Sequence, residues 1–171
     1  MNKDTVLTEI ASLLNDPLVK SELSPILARV EKALAATSLE PQSWEPVPLD
    51  VFGAALPNSI KSCWVFIFRA GAKFGAERHP NSHQRTIALR GGAVFEVLED
   101  NTWLPCPIGD SGGAESSSQS VSIPAGTWHR IGIGPENFVS VSFHTTSAQE
   151  LIEETPVNDD LSVTRKRLYH A

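Results

Sequence analysis

No stretch of this 171-residue chain approaches the roughly 20 consecutive apolar residues that a membrane-spanning helix requires. The opening MNKDTVLTEI likewise lacks the apolar core of a secretion signal. A soluble, cytoplasmic protein with no membrane partner is therefore expected. Basic residues are scarce: 14 Lys and Arg stand against 20 Asp and Glu, for a formal net charge of -6. Phosphate binding needs clustered cations, so nucleic acid is excluded as an expected partner. The only basic run, Arg165-Lys166-Arg167, lies near the end and reads as a solvated tail. Cysteine is nearly absent. Cys63 (in SCWVF) and Cys106 (in WLPCP) have neither metal-type nor redox-type spacing, which predicts two buried, reduced thiols and no cysteine nucleophile.

What is present reads as one sizeable domain with additions, since 41% of the residues are apolar and the chain is short for two cores. Residues 1–40 form an expected helical extension. Val6, Ile10, Leu13 and Leu14 recur at helical spacing, as do Leu27, Val30 and Leu34, and Asp16-Pro17 and Ser24-Pro25 resemble helix starts. Prolines 41, 46 and 48 end that pattern. Residues 41–160 then read as a single barrel domain of seven or eight short antiparallel strands, and 161–171 as a tail. KSCWVFIFRAG fits a buried strand, while RTIALRGG and AVFEVLED have the spacing of a tight hairpin. Trp64, Phe66, Phe68 and Trp103 read as core. In NFVSVSFHT, Val139, Val141 and Phe143 alternate with Ser140, Ser142 and His144, which puts His144 on the polar side, either in solvent or at the wall of a pocket. GDSGGAESSSQS (109–120) is a loop by composition, and Ser147 with Glu150 predicts a capped helix over AQELIEE.

The chemistry concentrates in ERHPNSHQRTIALRGG, residues 77–92. In an extended chain His79, Asn81, His83 and Arg85 share one face, and burying four polar groups costs several kcal/mol unless each meets a partner, ligand or metal. Glu77, two residues before His79, either looks inward with it or is a rim charge. A second segment, IPAGTWHRIG, sets His129 after a tight turn, with Trp128 beside it either lining a pocket or packing in the core. His170 lies in the tail and is expected to be idle.

These residues resemble the cupin superfamily over roughly residues 60–146. That family's second motif, Pro-x-Gly-x-x-His, is intact as Pro124, Gly126 and His129. Its first, His-x-His, then Glu after three or four residues, then Gly after six more, is partly kept. With Gly92 as the closing glycine, His79 matches the first histidine, Asn81 replaces the second and Arg85 stands at the glutamate; counting from Gly91 instead puts Gln84 there. The resemblance implies an all-β, cupin-type double-stranded β-helix (jelly-roll barrel) preceded by short N-terminal α-helices. It also implies a divalent transition metal, with Fe, Zn, Ni and Mn all compatible with imidazole.

His79, His83 and His129 are the expected ligands, with the Asn81 carbonyl or Gln84 as alternatives to His83. Arg85 cannot ligate a cation. It either swings away while three histidines hold the metal, or it joins them in a metal-free site for a carboxylate or phosphate. Arg85, Gln84, Asn81 and Trp128 are the candidate substrate-binding residues, for a small and acidic ligand. Three functions stay open: a dioxygenase-like oxidoreductase acting on a small organic acid, a non-catalytic sensing or binding protein, and a metal-free acid-base isomerase. The N-terminal helices are expected to pack on the barrel exterior and to extend a homodimer interface.

Overall fold

A computed structural model describes residues 4–110, 118–158 and 160–169. Two helices open the chain, α1 (Thr5–Leu13) and α2 (Pro17–Ala35), and each is started by an aspartate whose carboxylate accepts from a backbone N–H of the first turn, Asp4 from Leu7 and Asp16 from Leu18. Pro25, expected to open a helix of its own, lies inside α2, which continues through it. No described helix is long and apolar enough to cross a membrane.

Ten strands follow among the described residues, rather than seven or eight: β1 (Gln42–Pro46), β2 (Ser62–Phe68), β3 (Gln84–Arg90), β4 (Gly92–Glu99), β5 (Thr102–Gly109), β6 (Ser120–Ile123), β7 (His129–Ile133), β8 (Phe138–His144), β9 (Ile152–Pro156) and β10 (Thr164–Leu168). One sheet has the order β1-β2-β8-β3-β6, entirely antiparallel. A second has the order β5-β4-β7, and β9 pairs with β10. The segment around Glu77 joins these last two groups, because Glu77 bridges to His129 of β7 and Arg78 to Glu154 of β9. The result is the all-β, double-sheet barrel expected, with the helices outside it.

Strand alternation divides the first sheet between two cores. Cys63, Val65 and Ile67 of β2, Ile87 of β3 and Val139, Val141 and Phe143 of β8 face outward and are covered by Ile10, Leu14, Val19, Leu23, Ile26, Val30 and Leu34 of the helices. Trp64, Phe66 and Phe68 face the barrel interior with Phe95, Ile108 and Phe138. The helices thus bury an apolar sheet face that would otherwise meet water, worth about 25 cal/mol per Å² covered. Because the apolar side of β8 faces the helices, its polar side faces the barrel interior, and His144 is 1% exposed rather than solvated.

Several local expectations are corrected. β3 and β4 form no hairpin: Gly91 (φ +70°) turns the chain from one sheet into the other. The hairpin comes next, between β4 and β5, with Asp100 and Asn101 both at positive φ, as a two-residue turn requires. Ser147 and Glu150 do meet, but side chain to side chain, Ser147 Oγ donating to the Glu150 carboxylate at 2.6 Å, and the Ser147 carbonyl closes a single turn in place of the capped helix expected. The next residues are β9, because burying Glu153 and Glu154 against cations across the strands favours pairing over a helix. The expected tail contains β10, whose Lys166 and Arg167 pair with Glu154 (2.7 Å) and Glu153 (2.8 Å). Trp103 and Cys106 are only half-buried, on the edge strand β5, although Cys63 is buried as expected. Most of the 109–120 loop and His170 lie outside the described residues.

Two outcomes are expected from this architecture. A Cβ on Gly91 would run into the Asn137 carbonyl, and the residue has positive φ, so Gly91→Ala should destabilise the fold by more than about 1 kcal/mol in urea unfolding. Asp4, 20% exposed, loses hydration on burial, which raises its pKa, but bonds from Arg85 and Ser122 outweigh this and bring it from 3.8 to about 2. Its contribution, roughly 2 kcal/mol, is complete above the unfolded value and is lost as pH falls through that window. Asp4→Asn should remove it, flattening the acid limb of the stability curve between pH 4 and 2.

Candidate metal centre

The segment before β3 runs extended through Glu77 and Arg78, fixed by Glu77 N–H to the His129 carbonyl (2.8 Å), His129 N–H to the Glu77 carbonyl (2.9 Å), and the reciprocal pair between Arg78 and Glu154 (3.0 and 2.9 Å). It then turns: Ser82 N–H reaches the His79 carbonyl at 3.3 Å. The Asn81 side chain holds the turn, donating to the Glu150 carbonyl (2.7 Å) and accepting from Ile152 N–H (3.1 Å). That turn breaks the alternation on which a single face for His79, Asn81, His83 and Arg85 depended.

His79 and His129 come together, their ring centroids 5.7 Å apart, both nearly fully buried. Glu77 joins them, with Oε1 3.4 Å from His129 Nε2 and 4.0 Å from His79 Nε2. The nearest ligand atoms of all three lie within 4.8 Å of one another. Nδ1 of His79 donates to the Ile152 carbonyl (3.0 Å) and Nδ1 of His129 to the Thr127 carbonyl (3.1 Å). Each Nε2 then carries a lone pair, and both Nε2 atoms are buried without a hydrogen-bond partner. Two orphaned imidazole lone pairs beside a carboxylate form a group that could hold a metal ion, and the backbone carbonyls behind them fix ring orientation and tautomer.

The electrostatics suit a cation. Removal from water raises the Glu77 carboxyl, but its polar surroundings, the adjacent His129 ring first, with His79 and Arg167, outweigh this and hold it below the usual carboxylate range. Burial pushes His79 below the usual imidazole value, favouring its neutral, ligating form.

The centre borders a cavity of about 610 Å³ whose lining includes Glu77, His129, Gln84, Glu153 and Tyr169. Gln42 and Trp44 of β1 line it from one sheet, Pro156 and Arg167 from the other. His144 is packed edge-on to His79 at 5.0 Å, as is Tyr169 at 4.9 Å. Burial raises the carboxyl of Glu153, the charge of Glu77 adding to it against Arg167.

The other predicted site residues are dispersed. His83 faces the opposite way, with Nε2 2.8 Å from Ser122 Oγ and 3.9 Å from Asp4, and is not in the ligand group. Arg85 shares that side and donates to Asp4 at 2.8 Å, so it tethers the N-terminal helix instead of reaching into the cavity. Trp128 is buried under the Arg78 guanidinium, 4.6 Å from its ring centroid, and does not line the cavity. Asn81 holds the turn. Gln84 does line the cavity.

Glu77 is the residue that sequence reading left undecided, and a signal for it existed. With Glu77 and His79 in the places of the two histidines, four residues separate His79 from Gln84 and six separate Gln84 from Gly91. The motif is two residues earlier than the histidines alone suggest.

No family profile matches the chain, and no curated protein sequence matches it. Among solved structures it is similar to pumpkin seed globulin (TM-score 0.52, 15% identity, covering 70% of this chain and 29% of that one). It is also similar to procruciferin, an 11S globulin from Brassica napus (TM-score 0.51, 17% identity, 69% and 28%). An oxalate oxidase aligns at TM-score 0.48 and 12% identity over 64% of this chain and 53% of that one. This chain thus spans less than two thirds of the length of each, and at these identities the likeness to the globulins is one of fold.

Replacing Asn81 by alanine removes both links that hold the His79 turn against β9. Asn81→Ala is expected to cost about 1–2 kcal/mol in urea unfolding. An unchanged midpoint would show that water replaces those links.

Proposed function

The chain has the cupin fold, and we propose that it is a metal-dependent oxidoreductase acting on a small organic molecule, with Glu77, His79 and His129 as the metal's protein ligands. The observation that carries this reading is the convergence of two buried, unpartnered Nε2 atoms and one carboxylate at the wall of the cavity. Two histidines and one carboxylate, with positions left open, are the ligand set of non-haem iron oxygenases, which supports a dioxygenase-like reaction. When bound, a divalent transition ion supplies Lewis acidity and, if redox-active, a path for electrons.

The chain's own residues do the rest. The Ile152 and Thr127 carbonyls keep the His79 and His129 protons on Nδ1, so that each Nε2 stays free to ligate. Phe66, Phe68, Phe74 and Phe95 line the cavity and keep water from the reacting groups. Glu153 puts a second carboxylate into the same space, held by Arg167 at 2.8 Å. One negative ligand among neutral ones leaves a divalent centre with net positive charge, which favours a substrate oxygen that ionises as it binds.

Metal analysis of protein purified without added metal tests this. About one transition metal ion per chain is expected, and His79→Ala, His129→Ala and Glu77→Ala should each lower retention at least tenfold. Absence of metal from the wild-type protein would overturn the reading. Stoichiometric metal without oxygen consumption across a panel of small organic molecules would favour a binding or sensing role over catalysis.

A further inference from the structure

We propose that the cavity selects a flat, mainly apolar molecule carrying a hydroxyl group, a phenol or aromatic alcohol, and that Gln84 is the residue that reads the hydroxyl. This names a substrate class for the site described above and rests on that reading of it.

The wall formed by β3 and β8 carries the argument. Gln84 is 7% exposed and lines the cavity. Its Nε2 donates to Thr86 Oγ1 at 3.1 Å, and Thr86 Oγ1 is in turn 2.8 Å from Ser142 Oγ. That contact holds the amide in place, and its Oε1 is a buried acceptor with no hydrogen-bond partner among the described residues. Ser140 Oγ, 1% exposed and on the same wall, is also without one. A buried acceptor left unpaired is costly, and a ligand that donates to it removes that cost whereas a ligand lacking the donor does not.

The remaining surface sets the ligand's body. Phe66 and Phe68 stack at 5.6 Å with their planes 14° apart, and Phe74 meets Phe68 edge-on at 5.2 Å, giving flat apolar walls that favour a ring. A carboxylate fares worse here. Glu77 and Glu153 already bring two acids to the cavity, and its arginines are engaged, Arg167 by Glu153 and Arg130 by Glu96 through two hydrogen bonds (2.6 and 3.1 Å). The anion anchor expected at Arg85 lies on the far side of the sheet, paired with Asp4.

The test is calorimetric titration of the full chain, as purified and again after dialysis against EDTA, with 2-naphthol, its methyl ether 2-methoxynaphthalene, and 2-naphthoate. Naphthol should bind about tenfold more tightly than the ether in both preparations, with naphthoate weakest. Gln84→Leu should bring naphthol and ether to within about twofold of each other, and Ser140→Ala should leave a reduced preference. Equal binding of naphthol and ether by the wild-type protein, preference for naphthoate, no saturable binding of any of the three, or an undiminished preference in Gln84→Leu overturns the proposal. The donor preference is read in the EDTA-treated protein, so loss of the metal reading alone would leave this result standing.

Discussion

The pairing of the Glu77–Arg78 segment between β7 and β9 is the constraint on which the rest of the structure depends. Four backbone hydrogen bonds, two to His129 and two to Glu154, insert this short stretch as the missing strand of the second sheet. Without it, β5-β4-β7 and β9-β10 would be separate ribbons, and a two-stranded ribbon is marginal alone. The same four bonds set Glu77 directly opposite His129, so the register that closes the barrel is also the one that assembles the candidate ligands. Structure and site are a single arrangement.

The turn at Pro80 and Asn81 then reverses the inward–outward parity of the chain. Before it, Glu77 and His79 look into the barrel; after it, the inward residues are Gln84 and Thr86, while His83, Arg85 and Ile87 look outward. Each set meets a different partner. The inward set meets the cavity, and the outward charges meet Asp4, which also caps the first helix. The helices therefore cover the outer face of the first sheet through both apolar packing and a partly buried ionic anchor, and the cavity is left free of Arg85.

The placing of charge in the candidate site is chemically coherent. In the spacing of the family motif, a carboxylate stands at Glu77 where a histidine is usual, and a neutral amide stands at Gln84 where a glutamate is usual. The charge has moved without changing in number. One carboxylate beside two imidazoles forms a group that could hold a metal ion, while Gln84 lines the cavity with its Oε1 unpaired among the described residues. A permanently charged arginine at the glutamate position, as counting from Gly92 suggests, would have opposed any cation nearby.

Much of the fold is legible in the chain alone. The alternation of aromatic and β-branched residues, the proline boundary after residue 40 and the intact Pro124-Gly126-His129 motif determine a β-barrel behind a helical extension, with His79 and His129 as its notable histidines, because period and turn chemistry are local properties of the chain. Which face of each strand becomes the inside is not local. Val139-Ser140-Val141-Ser142 alternates cleanly whether the serines face water or a cavity, and only the helices lying over the valines decide it. For the same reason Lys166 and Arg167 read as a solvated end until the buried acids of β9 are opposite them. That Glu77 rather than His83 stands beside the two histidines is likewise decided by a turn and by a strand pairing between residues some 50 positions apart, a contact whose energy exists only once the sheet has closed.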